Sequence, residues 1–243
     1  MTIEINNSLD LKALAKDFQR KGRLQIPNFL TSESAERVFN SLNSTTPWRI
    51  VFFNGQKAVQ LSSAELNAAT REQQDNLERG ILARARNEYQ FIYYTYPIVE
   101  TYLAGQDQGH LLHRFLEFVN SGPTLDLMRT ITGIPELMRA DGHATFYNPG
   151  HFLTEHTDQD TTQGWRIAYS LNLTKGWMPD WGGYLQFYDE DKNIEQAFMP
   201  AFNVLNIFAV PQTHAVSYVA PFAGAPRYAI TGWFMDKAPA KPD

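Results

Sequence analysis

The chain has 243 residues, of which 43% are hydrophobic and 19% charged, and its formal net charge is -5. A chain of this length and apolar content can bury a substantial core, and one domain can account for it. The acidic balance argues against a broad phosphate-binding face, so direct nucleic-acid binding is not expected. Cysteine is absent, which excludes disulfides, zinc–thiolate sites, iron–sulfur clusters and thiol nucleophiles. Any bound metal must therefore use histidine or carboxylate ligands.

The N-terminal segment, residues 1–22, has acidic residues early and no uninterrupted apolar stretch. This pattern predicts neither a signal peptide nor a membrane span. We expect a cytoplasmic protein without membrane attachment.

The first half of the chain is predicted to be helical with a few strands. Ser8 is the expected N-cap of the first helix, and Gly22 is expected to close it. Asn54 and Gly55 form a strong hairpin-turn signal after a strand over 48–53. The other expected elements are a strand at 24–26 and helices at about 33–42, within 63–87, at 111–119 and at 125–131.

From about Pro135 onward, turn-forming residues separate short runs rich in β-branched and aromatic residues. The predicted strands cover 138–146, 165–173, 183–188, 203–210, 215–219 and 227–234. So many short strands predict a mainly β (α+β) sandwich or barrel, with the preceding helices covering one outer sheet face. We predict a single domain over 1–243, with 1–135 as helical support containing extra strands and 136–236 as the β core.

An H-x-D unit, His156 and Asp158, follows a turn in the second half. Positions i and i+2 of an extended chain point to the same side, so the imidazole and the carboxylate can converge on one ion. Two histidines and one carboxylate are the ligand pattern of Fe(II) oxygenases, because three adjacent coordination positions stay open. One further histidine is then required from elsewhere in the chain.

His214 enters a predicted strand, and a neighbouring strand could bring it opposite the H-x-D pair. Arg227 opens the last predicted strand, and its guanidinium suits the far end of a dicarboxylate because it grips a carboxylate bidentately and stays charged. Alone, each of these residues has a more ordinary interpretation: a solvated turn, a hydrogen-bonded histidine and a surface arginine. Their order along the chain favours one site.

The remaining histidines are weaker ligand candidates. His151 is interpreted as a mobile loop histidine and His143 as a structural one. His110 and His113 are expected on a helix, facing its polar side or its boundary. Asp160, two residues after Asp158, is either an outer partner of the ligands or solvated.

Six stretches of the C-terminal half carry a resemblance to a known family. They are FYNPG at 146–150, HTD at 156–158, WRIAYSLNLTKGW at 165–177, WGGYLQFYDE at 181–190, HAV at 214–216 and RYAITGWF at 227–234. With them the chain resembles the prolyl-hydroxylase branch of the 2-oxoglutarate- and Fe(II)-dependent oxygenases, including hypoxia-sensing and ribosomal-protein prolyl hydroxylases. The resemblance implies a double-stranded β-helix, a jelly-roll barrel.

The resemblance also implies roles for individual residues. The Fe(II) ligands would be His156, Asp158 and His214, with O2 as a co-substrate. The 2-oxoglutarate contacts would be Arg227, Tyr147 and Thr231, and Trp233 would contact the substrate. Ascorbate is a further candidate cofactor. Ser170 departs from the hypoxia-sensing enzymes, which carry a second pocket tyrosine where this chain has that serine.

The favoured reaction is prolyl 4-hydroxylation of a protein or peptide substrate, with release of succinate and CO2. One alternative is hydroxylation of a free amino acid or another small metabolite by the same centre. An alternative from another class is a non-catalytic barrel that binds a ligand or partner, which would hold if the three ligands failed to converge. The oligomeric state does not follow from these patterns.

Overall fold

The computed structural model describes residues 2–159 and 162–238. Helices dominate the first half and strands the second, as predicted. The helices of the described ranges are α1 (Leu11–Lys21), α2 (Ser32–Ser44), α3 (Ser63–Ala68), α4 (Arg71–Arg84), α5 (Ile98–Leu103), α6 (Leu111–Val119) and α7 (Gly122–Thr132). None of the helices within these ranges combines the length and the hydropathy that a bilayer crossing requires.

Helix α1 shows how local sequence sets the ends of these elements. Its N-cap is Asp10, whose carboxylate accepts hydrogen bonds from the N–H groups of Lys12 and Ala13. The prediction of Ser8 as the N-cap was wrong, because the Ser8 hydroxyl bonds to the side chain of Asn6 instead. Gly22 closes the helix in the left-handed conformation, as expected.

The strands are β1 (Arg23–Pro27), β2 (Arg49–Phe53), β3 (Ala58–Ser62), β4 (Phe91–Tyr96), β5 (Arg139–Ala140), β6 (His143–Tyr147), β7 (Phe152–His156), β8 (Trp165–Leu173), β9 (Leu185–Tyr188), β10 (Ile194–Phe198), β11 (Phe202–Ala209), β12 (His214–Val216) and β13 (Arg227–Met235). The main hydrogen-bonded order is β1-β11-β8-β13-β6-β4-β7-β12-β9-β10, with β2, β3 and β5 paired at its margins. The pairings between these strands are antiparallel.

The sheet coils into a nearly closed barrel, which confirms the predicted double-stranded β-helix. Strands β6, β8 and β13 form one wall, and β7, β9 and β12 form the other, with a shared cavity between them. Strand β4 pairs with both β6 and β7 and so joins the two walls. Such closure is the usual consequence of sheet twist in a sheet of many short antiparallel strands.

The helices cover the outer face of the first wall. Val38 of α2, Phe115 of α6 and Met128 of α7 belong to the same buried cluster as Leu171 of β8 and Ile230 of β13. Because side chains alternate between the two faces of a strand, the inner face of the same strands is free to line the cavity. The helical first half therefore supports the wall that carries Arg227, whereas His156 and His214 lie on β7 and β12 of the other wall.

One predicted strand, over 138–146, is interrupted in the structure at Asp141 and Gly142. The Asp141 carboxylate accepts the backbone N–H of Trp233 at 2.7 Å, and its carbonyl accepts the Tyr169 hydroxyl at 2.8 Å. A Cβ at Gly142 would lie 2.7 Å from that hydroxyl. At this interruption the backbone N–H of Asp141 still donates to the Trp233 carbonyl, while the Trp233 N–H is accepted by the Asp141 side chain and not by its backbone.

Candidate metal centre

Three side chains converge at one end of the barrel: His156, Asp158 and His214. The register of β12 against β7 places His214 directly opposite His156. His156 Nε2 lies 3.4 Å from Asp158 Oδ1, and His214 Nε2 lies 3.5 Å from Asp158 Oδ2. One ligand atom from each residue falls within 4.8 Å of the other two, a spacing that allows all three to bind one cation. The sequence singled out these same three residues.

Backbone carbonyls fix the orientation of both imidazoles. The Nδ1–H of His156 donates to the carbonyl of Thr154 at 2.9 Å, and the Nδ1–H of His214 donates to that of Gln212 at 2.8 Å. A carbonyl can only accept, so each Nδ1 carries the proton. Each Nε2 then turns an unprotonated lone pair toward Asp158, which is the tautomer that a metal ligand needs.

The electrostatics of the three residues suit a cation. Burial alone would raise the pKa of Asp158, but the adjacent imidazoles of His156 and His214 outweigh burial and hold that pKa below its ordinary value. Burial, reinforced by the proximity of His156, lowers the pKa of His214 to about 4. At neutral pH the group therefore offers one carboxylate and an unprotonated His214 nitrogen.

The triad lies in the wall of a cavity of about 590 Å³. This volume is typical of small-molecule sites. Side chains from both barrel walls line it, including Tyr89, Tyr93, Tyr147, Ser170, Arg227 and Trp233. Tyr89 is 43% exposed, and its ring centroid lies 5.8 Å from that of His156. The cavity thus has an aromatic wall that runs beside a metal ligand and reaches the solvent.

Arg227 is buried in this cavity with only 2% of its surface exposed. It lies opposite Tyr147 in the pairing of β13 with β6, and its guanidinium carbon is 5.0 Å from the centre of the Tyr147 ring. Burial lowers its pKa, while the proximity of Tyr147 raises it. Within the residues that the structure describes, Arg227 forms no ion pair with an acidic side chain. A buried cation without a carboxylate partner fits an anionic ligand.

Buried polar atoms without partners indicate which kind of ligand the cavity suits. Among the described residues, Ser170 Oγ and Arg227 Nε are buried and have no hydrogen-bond partner. Both side chains line the cavity and can donate hydrogen bonds. Native proteins rarely leave buried donors unpaired, so a ligand rich in acceptor oxygens is the expected occupant. A dicarboxylate with a keto group meets that requirement.

Thr231 and Trp233, for which the resemblance implies contacts with 2-oxoglutarate and with the substrate, also line the cavity. The Thr231 hydroxyl lies 3.1 Å from Nε2 of His143, so His143 belongs to the cavity wall as well. The interpretation of His143 as merely structural was therefore incomplete. The sequence patterns did not identify Tyr89, Tyr93 and His143 as cavity residues, although the aromatic run of β4 is a signal that could have indicated Tyr93.

The other histidines lie outside the triad. His151 is only 8% exposed, and its Nδ1 accepts the backbone N–H of Asn148, so its interpretation as a mobile loop histidine was wrong. His113 is buried between the hydroxyls of Tyr96 and Thr101, at 3.2 Å from each, so its expected placement on the polar side of the helix or at the boundary of that side was also wrong.

Two further candidate residues are His110 and Asp160. His110 is the N-cap of α6 and accepts the backbone N–H of Leu112 through Nδ1, which accounts for it as a structural residue. Asp160 lies outside the described residues.

Comparison with known proteins agrees with this geometry. Residues 142–235 match the family model of the 2OG-Fe(II) oxygenase superfamily. Over 90 residues the chain is 36% identical to the prolyl 3-hydroxylase OGFOD1 of Mus musculus, and the match covers 34% of this chain and 16% of that protein.

Two solved structures share the fold along most of their length. A Pseudomonas putida prolyl-4-hydroxylase superposes with a TM-score of 0.56 at 19% identity, covering 94% of this chain and 100% of that chain. A Trichoplax adhaerens prolyl hydroxylase, in complex with a peptide fragment of the hypoxia inducible factor oxygen degradation domain, superposes with a TM-score of 0.57 at 21% identity, covering 93% and 89%. At these identities the likeness establishes the fold alone.

Proposed function

We propose that the chain, whose residues 142–235 match the family model of the 2OG-Fe(II) oxygenase superfamily, is a 2-oxoglutarate-dependent dioxygenase that hydroxylates a prolyl residue of a protein or peptide substrate. One observation carries the proposal. The His156, Asp158 and His214 side chains converge in the same cavity as the Arg227 guanidinium, which has no acidic partner among the described residues. This reaction needs ligands for the metal and a buried group that binds the carboxylate of the co-substrate.

His156, Asp158 and His214 would hold Fe(II). Bound there, the metal would supply the chemistry that activates O2, because three protein ligands on one side leave positions for the co-substrates. The two carbonyl-anchored imidazoles keep their Nε2 atoms aimed at that point without reorganisation. The protein's own contribution is to position the reactants and to exclude water.

Arg227 would bind the distal carboxylate of 2-oxoglutarate. Its side chain is held in place by the Tyr147 ring and by the close approach of Gly183, where a Cβ would lie 3.2 Å from the Arg227 Cδ. A guanidinium pre-positioned in this way loses little freedom on binding. Ser170, Thr231 and Tyr147 lie in the same cavity and offer hydroxyl groups to the remaining oxygens.

The names of the similar proteins support a prolyl substrate. The mouse relative is a prolyl 3-hydroxylase, and the Pseudomonas putida structure is a prolyl-4-hydroxylase. The Trichoplax adhaerens structure carries a peptide, which favours a protein or peptide over a free amino acid. Hydroxylation at C4 stays a prediction, as do the use of ascorbate, the cytoplasmic location and the single-domain organisation.

The experiment that tests the proposal combines succinate release with mass spectrometry. The purified chain is incubated in air with Fe(II), 2-oxoglutarate and a panel of proline-containing peptides. We expect succinate formation that depends on peptide, and a mass gain of one oxygen atom on a prolyl residue. Turnover with free proline but with no peptide would favour the small-metabolite alternative. No succinate with any substrate would contradict the enzymatic function.

Two variants provide the matched controls. Asp158→Ala should abolish succinate formation, because it removes the one anionic ligand. Glu155→Gln changes a nearby carboxylate that forms an exposed ion pair with Lys192, and it should leave the activity unchanged. Equal activity of Asp158→Ala and the wild type would contradict the assigned centre.

A further inference from the structure

We propose that Arg23, on β1 at the edge of the sheet, is a positioning residue for His214. The inference rests on the proposed metal centre and concerns how one of its ligands is held. His214 depends for its orientation on the carbonyl of Gln212. The position of that carbonyl therefore depends on what holds Gln212.

The two ligand histidines differ in how their carbonyl partners are fixed. Thr154, the partner of His156, lies within β7. Its N–H donates to the carbonyl of Gln90 at 2.9 Å, and its hydroxyl accepts the N–H of Gln90 at 2.8 Å. Gln212 instead precedes β12, in the connection that follows β11. Strand pairing therefore fixes the carbonyl of Thr154, whereas the carbonyl of Gln212 lies outside the paired strands.

The side chain of Gln212 provides the missing anchor. Its Nε2 donates to the carbonyl of Gly22 at 2.9 Å, and its Oε1 accepts Nη1 of Arg23 at 3.1 Å. The next residue, Thr213, is held through its carbonyl by the N–H of Tyr188 at 3.2 Å. Both polar atoms of the Gln212 side-chain amide are therefore hydrogen-bonded to the junction of α1 and β1. These two bonds set the position of the Gln212 backbone.

Arg23 is suited to act as this clamp. It is only 8% exposed, and its planar head contacts three partners at once. Besides Gln212, Nε donates to Gln196 Oε1 at 2.9 Å and Nη2 pairs with the Glu195 carboxylate. The guanidinium thus links β1, β10 and the connection before β12. A lysine ammonium lacks the rigid, planar set of donors that makes these contacts together.

A second contact leads from Arg23 toward the ligand. Its guanidinium carbon lies 4.8 Å above the centre of the Phe187 ring. Phe187 is the residue opposite His214 in the pairing of β12 with β9, and the two rings are 6.2 Å apart. Arg23 does not itself line the cavity, so its effect on the site would pass through Gln212 and Phe187. Partners of this kind typically change metal affinity about 10–100-fold when removed.

The test is a Co(II) titration of the full chain, followed by the visible absorption of the bound ion. Arg23→Met keeps the alkyl stem and removes the fork. We expect the Kd for Co(II) to rise about ten-fold and the absorption bands to shift, because the His214 imidazole is less constrained. Gln212→Leu should have a similar effect, and Arg23→Lys an intermediate one. The double variant Arg23→Met with Gln212→Leu should be little worse than either single variant, since both act on one contact.

Arg129→Met is the matched control. Arg129 also links two segments, by donating to the carbonyl of Leu137 at 2.8 Å and to Asp126 at 2.6 Å, but it lies in the helical layer. It should leave the Co(II) Kd and spectrum unchanged. A folded Arg23→Met with the wild-type Kd and spectrum would overturn the proposal. If Arg23→Met did not fold, a wild-type Kd in Gln212→Leu would overturn it.

The outcome for the wild-type chain separates this inference from the proposed function. Failure of the unaltered chain to bind Co(II) would contradict the metal centre itself. Tight binding by the wild type and by both variants would contradict only the role of Arg23.

Discussion

His214 lies directly opposite His156 in the pairing of β12 with β7, and the centroids of their imidazole rings are 4.2 Å apart. Directly opposed residues of an antiparallel pair have neighbouring side chains on one face of the sheet. The strand register therefore creates two of the three ligand positions. A slip of one residue would turn one imidazole to the opposite face, so the site and the fold are specified together.

Because the ligands converge only in the folded chain, a divalent cation should stabilise the fold. A hundred-fold excess of Mn(II) over its Kd should raise the free energy of unfolding by about 2.7 kcal/mol. The measurement is thermal unfolding with and without Mn(II), and a chelator should reverse the shift. Asp158→Ala should lose this stabilisation, whereas Glu155→Gln should keep it. An equal Mn(II) effect in Asp158→Ala would place the cation elsewhere.

Arg227 should control the affinity for 2-oxoglutarate and not the affinity for the metal. Arg227→Met removes at least one hydrogen bond to a charged partner, worth about 1.5–3 kcal/mol, so the Kd for 2-oxoglutarate should rise by at least roughly 10–100-fold. Calorimetric titration of the Mn(II)-loaded chain measures this change. An unchanged Kd for 2-oxoglutarate would contradict the assignment, and a weakened Mn(II) Kd would show that the substitution disturbs the triad.

The same substitution should not weaken the fold of the ligand-free chain. Arg227 is a buried cation without an acidic partner among the described residues, and its desolvation is therefore uncompensated. An apolar side chain of similar volume removes that cost, so the free energy of unfolding should stay level or rise by on the order of 1 kcal/mol. Urea unfolding without ligand measures this difference, and a clear loss of stability would mean that Arg227 contributes to the packing of the barrel.

Strands with strong local patterns could be predicted from the sequence. The alternating and apolar run of β8 was predicted over 165–173, which are the bounds that the structure has. Strands β4 and β10 are among those that were missed, each for its own physical reason. The aromatic run of β4 is followed by a proline and a helix, and its pairing with β2, β6 and β7 depends on distant segments. The exposed, polar β10 lacks the alternation that identifies a half-buried strand.

Within the site, too, features set by local sequence could be predicted, whereas contacts between distant segments could not. His156 and Asp158 could be paired because i and i+2 of an extended chain share a face, a purely local rule. His214 and Arg227 could be proposed from their positions, but their approach to the first two residues depends on the register of distant strands. The contact of Arg23 with Gln212 joins side chains far apart in the sequence and leaves no local pattern. The buried state of His113 and His151 likewise depends on tertiary packing.

Asp141 should make the stability of the chain depend on pH. Its carboxylate accepts the backbone N–H of Trp233 at 2.7 Å, at the interruption between β5 and β6. Burial raises its pKa from 3.8 to about 6, although the Trp233 hydrogen bond and Arg139 lower it. Asp141→Asn keeps the acceptor oxygen for Trp233 and removes the titration, which makes it the matched variant.

A raised pKa means that the folded chain binds more protons than the unfolded chain between about pH 4 and pH 6. The wild type should therefore lose stability relative to Asp141→Asn as the pH rises through this window, by at most about 1.4 kcal/mol per pH unit. His214, with its pKa lowered to about 4, acts in the opposite direction but is common to both proteins, so its effect cancels in the difference. Urea unfolding of both proteins at a series of pH values measures that difference. A constant difference from pH 4 to pH 7 would mean that the Asp141 carboxyl has the same pKa in the folded and unfolded chains, and that solvent reaches it despite the surrounding strands.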